Sequence, residues 1–299
     1  MVVEIVEVAA EVVVVEDVVD NQQLKELPEL GVGLGYRANL RSEIFFHQDK
    51  IDFLEIIAEH YIDMTPEKES ELELLKNHFI LIPHAINLSL GTAETIDQEY
   101  LIKLAKLIKY LNPPWWSEHI CFTKAGGIDI GHLSPLPFTN EAIDVVCNNI
   151  AQIKKIIDTP LILENISYLL TLPGQEMDES EFISRILEKS DCGLLLDVAN
   201  VYINSVNLNY DPITFLKNLP LERVIQLHFA GGHWYKSVLI DSHSQNTPDE
   251  IWDLMKKTIE LCNPRGIILE RDENFPEFCE LLNEINHARK IKLSTKQCV

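Results

Sequence analysis

The sequence predicts an α/β fold: a (β/α)8, or TIM, barrel in a single domain. Three observations point to it. Eight short, apolar, β-branched runs recur from Gly31 onward. Stretches of helical periodicity separate most of them, leaving the room that a crossover between parallel strands requires. Acids, imidazoles and carboxamides collect at the C-terminal ends of the runs, where a barrel of this kind carries its active site.

The runs are GVGLGY (31–36), FLEIIAE (53–59), FILIPHAI (79–86), WWSEHICF (115–122), PLILENIS (160–167), GLLLDVAN (193–200), VIQLHFAG (224–231) and GIILERD (266–272). The stretch TPEKESELELLKNH reads as a helix with a Thr cap, a Pro at the next position and early acids. In IDQEYLIKLAKLIKYL, the residues Tyr100, Leu101, Leu104, Leu107, Ile108 and Leu111 fall on one helical face, the signature of a core-facing stripe. TNEAIDVVCNNIAQIKKII, DESEFISRILEKS and TPDEIWDLMKKTIELC read similarly, whereas the first connection is short and shows no clear helix. An open doubly wound sheet is the alternative, but GVGLGYR does not meet the G-x-G-x-x-G pattern of its phosphate loop.

The expected organisation is an acidic, poorly ordered extension over residues 1–30, a barrel domain over 31–287 and a C-terminal tail over 288–299. The extension holds eight acids and one base, Lys25, and its Val/Glu texture fits a strand, an amphipathic helix or a solvated leader; a partner-binding segment is the sharper reading. The whole chain has 25 basic and 47 acidic residues, a net charge of −22, which argues against nucleic acid and anionic membranes as partners. No apolar stretch approaches the length of a membrane span. The start is acidic, unlike a signal peptide, and the six cysteines (121, 147, 192, 262, 279 and 298) form no C-x-x-C pair. A cytoplasmic protein with reduced thiols is the simplest expectation.

The chemistry sits at the run ends. The second run ends in Glu59-His60-Tyr61, the third reaches His84, and the fourth carries Glu118-His119. The fifth ends in Glu164-Asn165, the sixth in Asp197 with Asn200, the seventh in His228 and the eighth in Glu270-Arg271-Asp272; Asp241-Ser242-His243 lies between the last two. A lone strand histidine is usually a satisfied core group, but here nearly every run is affected at the same end. So many acids at one mouth repel one another and raise their own pKa values unless cations neutralise them. Among the arginines only Arg37 and Arg271 lie at that end, so metal ions are the expected counter-charge. The mixed His/carboxylate set suits iron, manganese or catalytic zinc, and composition does not choose among them.

The motifs GVGLGYR, LEIIAEHY, HAINLSLG, SEHICF, LSPLPFT, LILENIS, CGLLLDVANVYINSVN, ERVIQLHFAGGH, LIDSHS and LERD occur in one order from Gly31 to Asp272. In this they resemble the multinuclear non-heme iron-dependent oxidase family of the methanobactin-biosynthesis type. The resemblance implies a barrel holding two or three Fe(II)/Fe(III) ions that activates O2. It also implies a ribosomally synthesised precursor peptide as substrate, commonly modified at cysteine, and often a separate peptide-binding partner protein. Carried over, the implied ligands are His84, Glu118, Glu164, Asp197, His228, Asp241, His243 and Glu270. Asn165 is a further ligand candidate, and His119 and Asn200 take catalytic or substrate-contacting roles. Many relatives carry His where this chain has Ile57; His60 is then the candidate to fill that role, against the reading of a hydrogen-bonded rim histidine. His233 follows an extra glycine in HFAGGH and reads as loop-borne.

The leading expectation is therefore an oxidase that modifies a peptide. A metal-dependent sugar isomerase or phosphodiesterase-like hydrolase on a similar barrel is the rival, although no run end offers a lysine base. A non-catalytic metal- or partner-binding barrel is the third reading. Of the aromatics, Trp115 and Trp116 begin a strand and include core packing, whereas Trp234 and Tyr235 fall in the seventh connection, where they can line a groove.

Overall fold

The computed structural model describes residues 22–296. Expectations that fall on residues 1–21, including the Val/Glu leader, lie outside the described residues, as does Cys298.

All eight runs form strands of one closed barrel. They are β1 (Gly31–Gly35), β2 (Leu54–Ile57), β3 (Leu81–His84), β4 (Trp116–His119), β5 (Leu161–Glu164), β6 (Gly193–Asp197), β7 (Val224–Phe229) and β8 (Gly266–Leu269). Each pairs in parallel with its sequence neighbours, and β8 closes on β1 through Gly31↔Gly266 and Leu34↔Leu269. Barrel curvature brings backbones close. A Cβ on Gly33 would lie 2.3 Å from the Phe53 carbonyl oxygen, so only glycine fits there.

The expected helices form with the expected faces. Thr65, Thr139 and Asp178 cap Pro66–His78, Asn140–Lys154 and Glu179–Ser190 through their side chains, each of which accepts from the backbone N–H three residues on. Leu101, Leu104, Leu107, Ile108 and Leu111 are buried on Gln98–Leu111. They belong to the layer between strands and helices, together with Trp116.

The barrel interior is a second, separate layer. Phe53, Ile82, Trp115, Ile162, Leu195, Ile225 and Ile268 pack there with Leu24, Leu27 and Leu30. Residues 22–30 are thus not part of a solvated leader. A short helix, Gln22–Lys25, and the segment after it close the barrel floor. Leu30 N donates to the Arg265 carbonyl (2.8 Å), and Arg265 Nη2 donates to the Lys25 carbonyl (2.8 Å). The leucine spacing, not the acidity, governs this part of the extension.

Other boundaries also move. The fourth run stops as a strand at His119, and Phe122 opens a hairpin made of Phe122–Ala125 and Ile128–Ser134. The sixth run stops at Asp197, whose Oδ1 accepts from Asn200 N (2.8 Å) and starts the helix Val198–Leu208. The boundary expected at residue 287 falls inside the helix Phe278–Lys296, where Ala288 is fully buried and Lys292 Nζ donates to the Pro264 carbonyl (2.8 Å). A second hairpin, Gly231–Tyr235 with Val238–Gln245, stands in the connection after β7.

If the floor segment is structural, Leu24→Ala costs about 2–3 kcal/mol, as for a buried leucine elsewhere. The expected reading is a lower urea midpoint at unchanged slope. A loss under about 0.5 kcal/mol would mean that the segment adds nothing.

Candidate metal centre

Side chains alternate across a strand, so the interior is read in steps of two. One step beyond the apolar layer the same strands turn polar. Phe53 is followed by Glu55, Ile82 by His84, Trp115 by Ser117 and His119, Ile162 by Glu164, Leu195 by Asp197, and Ile268 by Glu270. On β7 the corresponding pair is Gln226 and His228. The result is a polar cup at the C-terminal end of the barrel, resting on the apolar layer.

Two groups of donor atoms converge in it. His84, His119 and Glu164 form one, and Glu164, Asp197, His228 and Glu270 form the other; within each group the atoms lie within 4.8 Å of one another. Glu164 belongs to both. Its Oε2 is 3.4 Å from His84 Nε2 and 3.2 Å from His119 Nε2, while its Oε1 is 3.2 Å from His228 Nδ1. Glu270 Oε2 is also 3.2 Å from His228 Nδ1. Beside them, His243 Nε2 lies 2.9 Å from Asp241 Oδ1, and its Nδ1 lies 3.0 Å from Asp272 Oδ2 and 3.6 Å from Glu270 Oε2.

Each of these histidines except His119 has an outer partner that holds its ring. His84 Nδ1 meets Ser117 Oγ at 2.7 Å. His228 Nε2 lies 2.9 Å from Glu55 Oε1. Asp272, which carries His243, is itself held by Arg37 at 2.5 Å. Such partners are the usual support of metal-binding imidazoles.

The cup fits a cation. Among the described residues, Glu164 Oε2, Asp197 Oδ2, His228 Nδ1, Asp241 Oδ1 and His243 Nε2 are buried without a hydrogen-bond partner. Buried polar atoms left in that state are costly, and three of them, on Glu164, Asp197 and His228, belong to residues whose donor atoms converge within 4.8 Å, which fits a shared ligand. The two arginines expected at this end do not fill it, since Arg37 pairs with Asp272 and Arg271 with Glu284.

Titration in the metal-free cup is uneven. Burial pushes Glu118 up to about 7. Burial, with the charges of Glu164 and Asp241, pushes Asp197 up to about 8. Glu164 and Glu270 go the other way: burial would raise them, but His228 and the neighbouring imidazoles hold them down. Burial opposes the charged form of His119 as well, yet Glu164 and Glu118 push it up to about 9. The rise expected for all the acids therefore holds for only some, because the histidines take the place of cations.

The remaining candidates divide. Glu118 is fully buried and joins neither group; its carboxylate accepts from His119 N (2.8 Å) and Leu88 N (3.1 Å), and its Oε1 lies 3.6 Å from His119 Nδ1. It lies out of phase with Ser117 and His119, so it supports the loop after β3. Asn165 accepts from Asp197 N (2.9 Å) and donates to the Asp197 carbonyl (3.1 Å), which commits its amide to tying β5 to β6. Asn200 donates to the Asn165 carbonyl (3.1 Å) and leaves Oδ1 buried and unpaired. His60 is exposed on the short helix Glu59–Ile62 and joins neither group, because the strand has already ended at Ile57. His233 is exposed and bonds Ser242 Oγ (2.9 Å). His119, expected as a catalytic or substrate contact, stands as close to Glu164 as His84 does. Trp234 and Tyr235 are exposed at the tip of the second hairpin.

Glu55 is the residue that the sequence reading missed. It is buried in the middle of β2, and its position two residues after Phe53 was the available signal.

The fold and the cup together define a TIM-barrel protein with a buried, carboxylate-rich cluster that could hold metal ions. The chain belongs to the family of RiPP precursor modification enzymes MbnB/TglH/ChrH, whose model matches residues 31–293. It is 36% identical over 276 residues to a UPF0276 protein of Streptomyces avermitilis, covering 90% of this chain and 56% of that protein, so it spans little more than half of that relative's length. It is 34% identical over 264 residues to a UPF0276 protein of Caulobacter vibrioides, covering 87% and 93%. Among solved structures it resembles the IOLI protein with a bound zinc atom (TM-score 0.57, 14% identity, 89% and 97% covered). It also resembles a D-psicose 3-epimerase from Clostridium cellulolyticum (TM-score 0.54, 10% identity, 89% and 97% covered). These two show the fold alone.

Two outcomes follow for metal binding. At neutral pH a cation must displace protons from His119 and Asp197, which titrate at about 9 and about 8. His228 must lose a proton too, since Glu270 and Glu55 hold it well above the usual imidazole range although burial opposes its charge, so affinity for Zn(II) or Co(II) is expected to rise from pH 6 to 9, with proton release. Calorimetry in buffers of different ionisation enthalpy reads this directly, and a flat affinity between pH 6 and 9 would contradict it. Separately, H60A is expected to leave metal content unchanged, whereas E164Q removes the donor common to both groups and lowers affinity more than about 100-fold, beyond the usual effect of an outer partner. Elemental analysis of the two variants checks both.

Proposed function

We propose that the chain is a multinuclear non-heme iron oxidase that uses O2 to modify a ribosomally synthesised precursor peptide at cysteine. The observation that carries this reading is the carboxylate of Glu164 standing between two donor groups, the arrangement expected of a bridge between two ions. His84, His119 and Glu164 would hold one ion, and Glu164, Asp197, His228 and Glu270 the other. Asp241 and His243 would complete the donors of the second ion or hold a third. Mixed imidazole and carboxylate donors favour iron, manganese or zinc over magnesium and calcium. Bound iron supplies one-electron and O2 chemistry that side chains lack.

The chain's own residues supply position and exclusion. The apolar layer and the floor leucines close the barrel below the cup, so water and peptide enter only from the mouth. The two hairpins flank that mouth, and Trp234 and Tyr235 offer exposed aromatic surface for an extended peptide. Asn200 Oδ1, buried and unpaired, is an acceptor available to a substrate N–H or S–H. A thiolate is itself a strong metal donor, which favours cysteine as the residue presented to the cup. A separate peptide-binding protein is the partner that the family resemblance implies, and the acidic balance argues against nucleic acid. Among the described residues no helix is long and apolar enough to cross a membrane, and a cytoplasmic site of action belongs to the same proposal.

The test is to purify the protein without oxygen, count iron per chain, and add cysteine-bearing precursor peptides with O2. The expected result is about two or three irons per chain and an O2-dependent change in peptide mass that E164Q abolishes. Iron-free protein with unchanged peptide mass would overturn the proposal. Oxygen-independent turnover of a sugar with zinc or manganese would favour the isomerase rival.

A further inference from the structure

Beneath the cup, a line of polar side chains runs through the otherwise apolar barrel interior. Trp115 Nε1 donates to Gln226 Oε1 (2.8 Å). Gln226 Nε2 donates to Glu55 Oε2 (2.5 Å). Glu55 also lies 2.9 Å from His228 Nε2 through Oε1 and 3.1 Å through Oε2. Trp115, Gln226 and His228 are fully buried and Glu55 is 3% exposed, so solvent does not share in these bonds.

The line has a direction. An indole N–H can only donate, which turns the carbonyl end of Gln226 towards Trp115. The amide NH2 of Gln226 must then face Glu55 and His228, and an NH2 cannot accept. Gln226 Nε2 and His228 Nε2 are 3.0 Å apart, so without Glu55 the imidazole would be driven to accept there and to carry its proton on Nδ1. Glu55, which accepts from both sides, removes that pressure. It lets His228 keep a proton on Nε2 when a cation displaces the one on Nδ1, the atom 3.2 Å from both Glu164 Oε1 and Glu270 Oε2.

We propose that Trp115, Gln226 and Glu55 form a one-way hydrogen-bond chain that fixes His228 as the Nε2–H tautomer and presents its Nδ1 lone pair to the metal ions. This rests on the metal-centre reading above and adds three positioning residues to it, none of which touches the ions. A buried ion pair serving stability alone would need Glu55 and His228 but would be indifferent to which end of Gln226 faces them.

The exchange variant E55Q/Q226E separates these roles, because it keeps volume and charge while moving the carboxylate to the other side chain that already lies 3.0 Å from His228 Nε2. In E55Q alone, Co(II) affinity is expected to fall about 10–100-fold. In E55Q/Q226E most of it is expected to return. Independently of any variant, ¹⁵N-edited NMR of the Zn(II)-loaded wild-type protein should show His228 protonated at Nε2. A proton on Nδ1 in that spectrum, or wild-type Co(II) affinity in a folded E55Q, overturns the inference while leaving the metal centre in place. Failure of the wild-type protein to bind either cation overturns the metal-centre reading and this inference with it.

Discussion

The structure turns on the convergence of carboxylates that, among the described residues, only imidazoles neutralise. Glu164, Asp197 and Glu270 share a group whose donor atoms lie within 4.8 Å of one another. At that separation and an effective dielectric constant of about 20, each pair of charges repels by roughly 3 kcal/mol. Three such pairs are a large fraction of the stability of an ordinary domain. In the metal-free protein the histidines relieve part of this, and the opposite shifts of Asp197 and Glu270 show the division: the acid beside imidazoles stays ionised, and the acid beside other acids takes up a proton. Cations would replace that protonation pattern with a stronger one, so the cup could hold ions where protons now hold it together.

The barrel supports this arrangement by layering. Phe53, Ile82, Trp115, Ile162, Leu195 and Ile268 fill the interior one pleat below the cup, and Leu24, Leu27 and Leu30 close the floor beneath them. Side-chain freedom in such a packed layer is small, so the residues one pleat above inherit fixed starting points. Backbone ties then set the strand ends. Asn165 joins β5 to β6, and Glu59 accepts from Ile86 N (2.7 Å), Asn87 N (2.9 Å) and the Tyr100 hydroxyl (2.5 Å), pinning the loop after β3. Asn165, a ligand candidate in the sequence, thus carries a tie between strands.

Strand identity was legible in the sequence because parallel, doubly covered strands are continuous apolar runs, and all eight lie where those runs do. The helices with side-chain caps were legible for the same local reason. What the sequence obscured were changes of direction governed by single side chains: Asp197 ends a strand and caps a helix within one residue, and Phe122 begins a hairpin rather than continuing β4. For the cup, residue type located the right end of the barrel but not the right face. Glu118 and Asn165 sit beside true members of the two groups and join neither. His60 lies past the end of its strand, and Glu55 hid inside a run that reads as apolar. Counting in twos from Phe53 and Trp115 separates these cases, since it places Glu55, Ser117 and His119 inside and Glu118 outside. Leu24, Leu27 and Leu30 were masked by the acids around them, because charge dominates a composition reading and spacing does not.

Likeness of fold leaves the chemistry open, since the IOLI protein and the D-psicose 3-epimerase share the barrel at 14% and 10% identity. Barrels of this architecture deliver many reactions by changing what stands at the strand ends. In this chain one acid, Glu164, is reached by imidazoles from β3, β4 and β7 at once. A single-ion site needs no such acid, because donors can be drawn from two or three neighbouring strands. An acid approached from strands on both sides of its own makes sense where two charges must be held a short distance apart and kept there. The outer partners fit the same requirement. Ser117, Glu55 and Asp272 each hold a different ring from behind, so the imidazoles are oriented towards the shared centre before any ion arrives, and the cost of that order is met in folding rather than in binding.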